Sequence, residues 1–255
     1  MNAPFALTRE SIRAADLRQP DEAARIERFV ADRAGALFHR PAWLLAAQRG
    51  TGQRARGLLA EKGGAITGWL PLSEIHSPIF GRMLASSGFA VGGGVLAERE
   101  ATAQALCRAA EELAWRLSCP TIELRGGPAP EDWTTRTDSH CGFAADLATD
   151  DEAQLLAITK RQRAEVRKGL EQDLVIGVGA GLQGLATFYA MYAESVRNLG
   201  TPVFPRRLFE AMLDALDGDI LTAFHQGKPV SSVLSFYHAG AVMPYWAGGT
   251  PAARR

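Results

Sequence analysis

YAESVRNLGTPVFPRRLFEAML, residues 192–213, is the stretch on which the fold turns. A helical pattern runs into Leu199-Gly200, breaks at Thr201-Pro202-Val203-Phe204-Pro205, and resumes at once. The spacing predicts helices over 183–199 and 205–216. The loop between them is stiffened by prolines, which hold φ near about −65°. Just upstream lies GAGLQG, residues 179–184, which matches G-x-G-x-x-G and follows the strand-like LVIGV, 174–178. A dinucleotide fold lays pyrophosphate on the helix such glycines open. It then requires a second parallel strand, with an acidic residue about 20 positions past the glycines. Here helix, loop, helix occupies the place of that strand, so the glycines read as a strand-to-helix loop. Whether the 201–205 loop is ordinary packing or a wall of a binding site stays open at this level.

Downstream, DILTAFHQGKPVSSVLSFYHAGAVMPYWAGG predicts strands over about 219–225, 229–238 and 241–247, with tight turns at Gly227-Lys228 and Ala239-Gly240. Upstream, 151–172 reads as one or two helices. The first half has a similar order. A strand at 11–16 and helices at 21–34 and 41–49 precede strands at 54–62 and 65–75, joined at Lys62-Gly63-Gly64. MLASSG is extended, a helix spans 98–118, and 120–126 and 142–148 are further extended pieces. Helices followed by an antiparallel meander thus occur twice. This predicts an α+β chain of two related domains, 1–149 and 150–255. The first half continues past its meander into a helix and strand, whereas the second stops at PAARR, so an incomplete second domain is expected.

Hydrophobic residues make up 47% of the 255 and charged residues 22%, enough apolar content for a packed core. Net charge is +0, which argues against a surface given over wholly to DNA or membrane while allowing a local patch. The three cysteines, Cys107, Cys119 and Cys141, form no CxxC pair, which favours a reducing compartment. No signal peptide is read at the N-terminus, and no apolar run approaches the roughly 20 residues of a membrane helix. A cytoplasmic protein is expected. The five histidines show no metal-ligand spacing, and HExxH and GxSxG are absent, so neither a metal site nor a serine nucleophile is expected.

Three features invite a ligand. VGGGV, 91–95, permits close backbone approach, and equally a plain turn. In TKRQRAEVRKG, 159–169, Lys160, Arg163 and Arg167 share a helical stripe flanked by Arg161 and Lys168. Such a stripe grips phosphates or is a solvated face. In SFYHAGAVMPYWAGG, 235–249, Tyr237, Tyr245 and Trp246 either line a cleft or pair across strands.

The runs SVRNLGTPVFPRRLF, GKPVSSVLSFYHAGAVMPYWAGG and KRQRAEVRKGLEQDLVI together resemble FemAB-like proteins of the GNAT acyltransferase superfamily. The similarity is to the group associated with exopolysaccharide and PEP-CTERM/exosortase systems. LFHRPAWL, GWLPLSEIHSPIFGRMLASSGFAVGGGVLA and IELRG extend it through the first half. The resemblance implies two tandem GNAT-like domains, the second truncated here. It also implies N-acyl transfer to an amine of a cell-envelope or exopolysaccharide precursor. Acyl-CoA or charged tRNA would be the donor, with no tightly bound cofactor, and peripheral association with a membrane is allowed. Tyr237 and Tyr245 would handle or orient a proton beside the Met243–Gly248 strand, and Trp246 would bind substrate. Lys160, Arg163 and Arg167 would hold an anionic donor or acceptor, and Arg197, Thr201 and Phe204 would line the acceptor pocket. A GNAT-like scaffold that binds without catalysing is the rival expectation.

Overall fold

The computed structural model describes residues 9–79, 81–179 and 181–254. The stretch at 1–8 read for a leader, and Ala180 inside GAGLQG, lie outside them. The first half runs β1 (Ser11–Ala14), α1 (Pro20–Asp32), α2 (Pro41–Thr51), β2 (Arg54–Lys62), β3 (Ala65–Ser77), β4 (Gly81–Ser86), β5 (Leu96–Ala97), α3 (Glu100–Arg116) and β6 (Ile122–Glu123). The second runs α4 (Asp151–Ala157), α5 (Lys160–Leu170), β7 (Leu174–Val178), α6 (Leu182–Asn198), α7 (Arg206–Ala215), β8 (Gly218–His225), β9 (Lys228–His238) and β10 (Ala241–Gly249). Strand, two helices and a three-stranded meander therefore occur twice, giving one sheet ordered β1-β2-β3-β4-β6 and another ordered β10-β9-β8-β7.

The first sheet is covered on both faces, as the alternation of its strands requires. Leu58, Leu70, Leu72 and Leu84 face α3, packing on Ala103, Leu106 and Ala110. One residue along, Leu59 and Trp69 pair across strands and face Ile26, Phe29 and Leu44 of α1 and α2. Cys107 is buried on α3, where desolvation pushes its thiol up to about 11, well outside the nucleophilic range.

Compactness cuts across chain order. One unit comprises Met1–Trp133, Phe204–Gly218 and Phe236–Met243; the other comprises Thr134–Val203, Asp219–Ser235 and Pro244–Arg255. Helix α7 explains much of the difference from a division at residue 149. Its stripe of Leu208, Phe209 and Met212 is fully buried, and it lies in the first unit with α2. A Cβ on Gly50 would lie 2.4 Å from Leu208 Cα, so the two helices meet backbone to backbone. Arg207 Nε donates to Gly50 O at 2.8 Å, and Arg49 pairs with Asp214 at 2.9 Å.

Three local expectations change. Of 120–126 only Ile122–Glu123 is a strand, because the parallel pairing with β4 covers only Leu84–Ala85. Residues 142–148 are not a strand. The β8–β9 turn is centred on Gln226-Gly227, both at positive φ, and Lys228 already belongs to β9.

Candidate functional site

In the second unit the buried face of the sheet is set by β8 and β9. Ile220, Val230 and Leu234 are buried, and Thr222 and Ser232 share a buried hydrogen bond of 2.8 Å between their hydroxyl oxygens. Helix α6 contributes Leu185, Phe188, Met191 and Tyr192 to that unit's core. β10 presses on α6 so closely that a Cβ on Gly248 would lie 2.5 Å from the backbone of Met191 and Tyr192. A glycine inside a strand of bulky residues signals such an approach in sequence. Nothing in the pattern singles out the Thr222–Ser232 pair.

β10 is the terminal strand of its sheet: β9 lies on one side, and among the described residues no strand lies on the other. In an antiparallel strand alternate N–H and C=O groups point to opposite sides, so half of this strand's backbone polar groups point away from β9. Pro244 within it fits an edge strand, since a proline has no N–H to give a neighbour. Backbone N–H groups without a strand partner can stabilise a developing oxyanion. Tyr245 and Trp246 stand on this strand, half-buried, their rings edge to face at 4.6 Å. Tyr237, 37% exposed, belongs to the first unit, where its backbone N–H reaches Asp217 O at 2.9 Å.

The basic stripe divides. Arg163 is turned back on the end of α4, donating to Leu155 O, Leu156 O and Ile158 O at 2.7, 3.0 and 3.1 Å. It thereby satisfies carbonyls that a helix end leaves unpaired. Lys160 and Arg167 are exposed and make no ion pair among the described residues, while Lys168 pairs with Glu165 at 3.2 Å. Arg197 and Thr201 are exposed in the second unit. Phe204 lies in the first unit, edge-on to Phe89 at 5.4 Å.

The VGGGV run serves packing. A Cβ on Gly94 would lie 1.7 Å from Gly126 O, and Gly94 N–H donates to Arg125 O at 3.1 Å. His39 holds the same loop: its Nδ1 accepts from Ala36 N–H at 3.0 Å, leaving Nε2–H to donate to Gly94 O at 3.1 Å. Burial pushes the pKa of His39 below the usual imidazole range, and nearby His238 lowers it further, against the two backbone bonds. GAGLQG runs into the first turn of α6, but β7 pairs antiparallel with β8, so among the described residues it opens no parallel crossover unit.

Comparison with known proteins gives the class first. Residues 158–255 match the family model described as an acetyltransferase (GNAT) domain. The architecture is a mixed α+β GNAT-like fold with two sheets and flanking helices. Among solved structures, that of FemX superimposes over 91% of this chain and 80% of its own, at a TM-score of 0.61 and 14% identity. At that identity the likeness is one of fold. A tandem GNAT protein from the clavulanic acid biosynthesis pathway aligns over 91% of this chain and 76% of its own, with 13% identity and a TM-score of 0.49. The aminoglycoside N-acetyltransferase AAC(6')-Iy, solved with CoA, aligns over 54% of this chain and 100% of its own, with 13% identity and a TM-score of 0.31. No curated protein matches the chain in sequence. No described helix is long and apolar enough to cross a membrane. Pro251–Arg254, after β10, forms a 3-10 turn.

Proposed function

We propose that the chain is an N-acyltransferase of the FemAB-like kind. It would move an acyl or aminoacyl group from an activated carrier, acyl-CoA or charged tRNA, to an amine of a cell-envelope or exopolysaccharide precursor. One observation supports the reading: β10 is an edge strand among the described residues, inside the segment that matches a GNAT domain. The acyl carbonyl lies along that edge, and the amine attacks its carbon. A C–N bond forms while the bond from the acyl carbon to the carrier sulfur or oxygen breaks. The intervening oxyanion is held by backbone N–H groups, and positioning does much of the work. The amine proton passes to the departing sulfur or oxygen. Tyr245, on the strand itself, is the hydroxyl best placed in the second unit to conduct it; Tyr237 is the second candidate. Lys160 and Arg167 draw in the anionic carrier or precursor, and Arg197 and Thr201 meet the acceptor. The halves 1–149 and 150–255 are read as two copies of one GNAT-like ancestor. The exopolysaccharide and PEP-CTERM/exosortase setting rests on the resemblance of the quoted runs.

The test is acyl transfer by the full chain, with acetyl-CoA and alanyl-tRNA as donors and amine-bearing envelope precursors as acceptors. Turnover with one donor is expected. Tyr245→Phe should lower kcat by about 100-fold or more, the scale of a lost proton-transfer group, with KM little changed. Inertness with both donors, alongside tight binding of a precursor, would replace the enzyme with a binding protein.

A further inference from the structure

The end of β2 leaves a cleft that acyl transfer does not use. β1 accompanies β2 only as far as Ala14, opposite Leu58. Ala15 N–H then reaches Gly57 O at 2.9 Å, beyond which the chain leads into α1. From Arg54 to Arg56, β2 therefore has β3 on one side and, among the described residues, no strand on the other. The space beside it is a cleft of about 710 Å³, lined entirely by residues of the first unit. That size falls within the range of small-molecule sites.

Its chemistry is lopsided. Leu17, Leu45 and Leu113 provide apolar wall, and the polar side chains that line it are Arg18, Gln48, Arg54, Arg56 and the carboxylate Asp16. Asp16 is already paired with Arg18 at 3.0 Å. Arg56 is fixed by Glu74, a 5% exposed carboxylate whose Oε2 takes both Nε and Nη2 at 3.1 and 2.8 Å. Arg54 is exposed and its guanidinium has no hydrogen-bond or ion-pair partner among the described residues. Gln48 Oε1 accepts from Ala55 N–H at 2.8 Å. That bond satisfies the open strand edge and fixes the amide, whose Nε2 hydrogens have no protein acceptor among the described residues. Uncommitted donors next to apolar wall call for an acceptor-rich, negatively charged ligand.

We infer that this cleft binds a small organic anion, a phosphate ester or a polycarboxylate. Its oxyanion lies on Arg54 and Gln48 Nε2, and its apolar part lies against Leu45, on the α2 side of the sheet. The inference stands apart from the acyl-transfer reading and needs no turnover to test. The full chain is titrated calorimetrically with AMP and with citrate, and amide shifts are followed in parallel. Saturable binding of one or both is expected at low salt and should weaken as salt rises. Shifts should be centred on Gln48, Arg54 and Ala55. Binding of AMP alone assigns the site to phosphate esters, and binding of citrate alone assigns it to carboxylates. Arg54→Ala should keep the wild-type melting temperature, as an exposed residue does, and weaken binding by about ten-fold or more, as loss of a charge-assisted hydrogen bond predicts. Arg116→Ala, on the exposed face of α3, should bind as wild type. Failure of both probes to saturate at millimolar concentration overturns the inference. So does unchanged affinity in Arg54→Ala, or shifts located elsewhere.

Discussion

Gly248→Ala asks whether β10 is held where the proposed chemistry needs it. The added methyl carbon would lie 2.5 Å from Met191 C, Met191 O and Tyr192 N, where ordinary contact begins at 3.4 Å. These are backbone atoms within a helix, so they cannot swing aside as a side-chain tip would. Strand and helix must separate by roughly 0.9 Å, the difference between those distances. Overpacking of this kind costs about 1–3 kcal/mol. For a protein of this size that is a fall in Tm of roughly 3–10 °C. The neighbouring Gly249→Ala is the control, since its nearest contact would be Val230 O at 3.5 Å and nothing has to move. Thermal unfolding of both variants, with amide exchange over 241–250, reads the effect. If turnover is established, Gly248→Ala should also lower it by up to about 100-fold, because a shift of about 1 Å disturbs the reacting geometry. Equal Tm values for Gly248→Ala, Gly249→Ala and wild type would refute the close approach and the placement of β10 built on it.

Two further outcomes follow from the geometry. Because His39 has a pKa depressed by burial, its contribution to stability is fully present above the unfolded value near 6.5. It is lost as pH falls from there through the folded value. Urea unfolding from pH 7 to 5 should therefore show wild type losing stability relative to His39→Gln, by up to about 1.4 kcal/mol per pH unit; parallel curves would count against a buried neutral imidazole. Arg163→Ala removes three bonds to the carbonyl end of α4, a seven-residue helix without a buried residue. Amide exchange in 151–157 should quicken about five-fold or more, on the order of 1 kcal/mol, with the global Tm held. Unchanged exchange there would show that Arg163 is not the cap.

The elements legible in sequence were those whose cause is local. RARGLLAEK and LVIGV have the observed bounds of β2 and β7, because alternation and flanking turns define them without outside help. The 120–126 run has the same local look, yet its strand is limited to the two residues that meet β4. Helix α7 was legible as a helix, but nothing in RRLFEAMLDA shows that its apolar face belongs with α2, some 160 residues away in sequence. The stripe of Lys160, Arg163 and Arg167 follows from helical spacing. That Arg163 turns back on α4 depends on the break between helices at Ile158, where the backbone is extended. The Arg54 cleft is less legible still, since it exists because β1 stops at Ala14.

Two prolines inside strands mark where the two sheets differ. Proline has no N–H to donate, so a strand accommodates it where no neighbour needs one. Pro71 sits in β3 between the residues that pair with β5, Gly68 and Trp69, and those that pair with β4, from Leu72 onward. The backbone opening there is closed by the protein itself. Ser87 N–H donates to Pro71 O at 3.3 Å, Gly88 N–H donates to Ser73 Oγ at 2.9 Å, and the Gly94 backbone is pressed on Gly126. Pro244 sits in β10, and among the described residues no strand closes that outer edge. The repeated strand–helix–helix–meander thus produces two sheets with opposite fates. The first is packed on both faces. The second leaves the outer edge of β10 without a neighbouring strand among the described residues, and it is there that the proposed reading puts the acyl group.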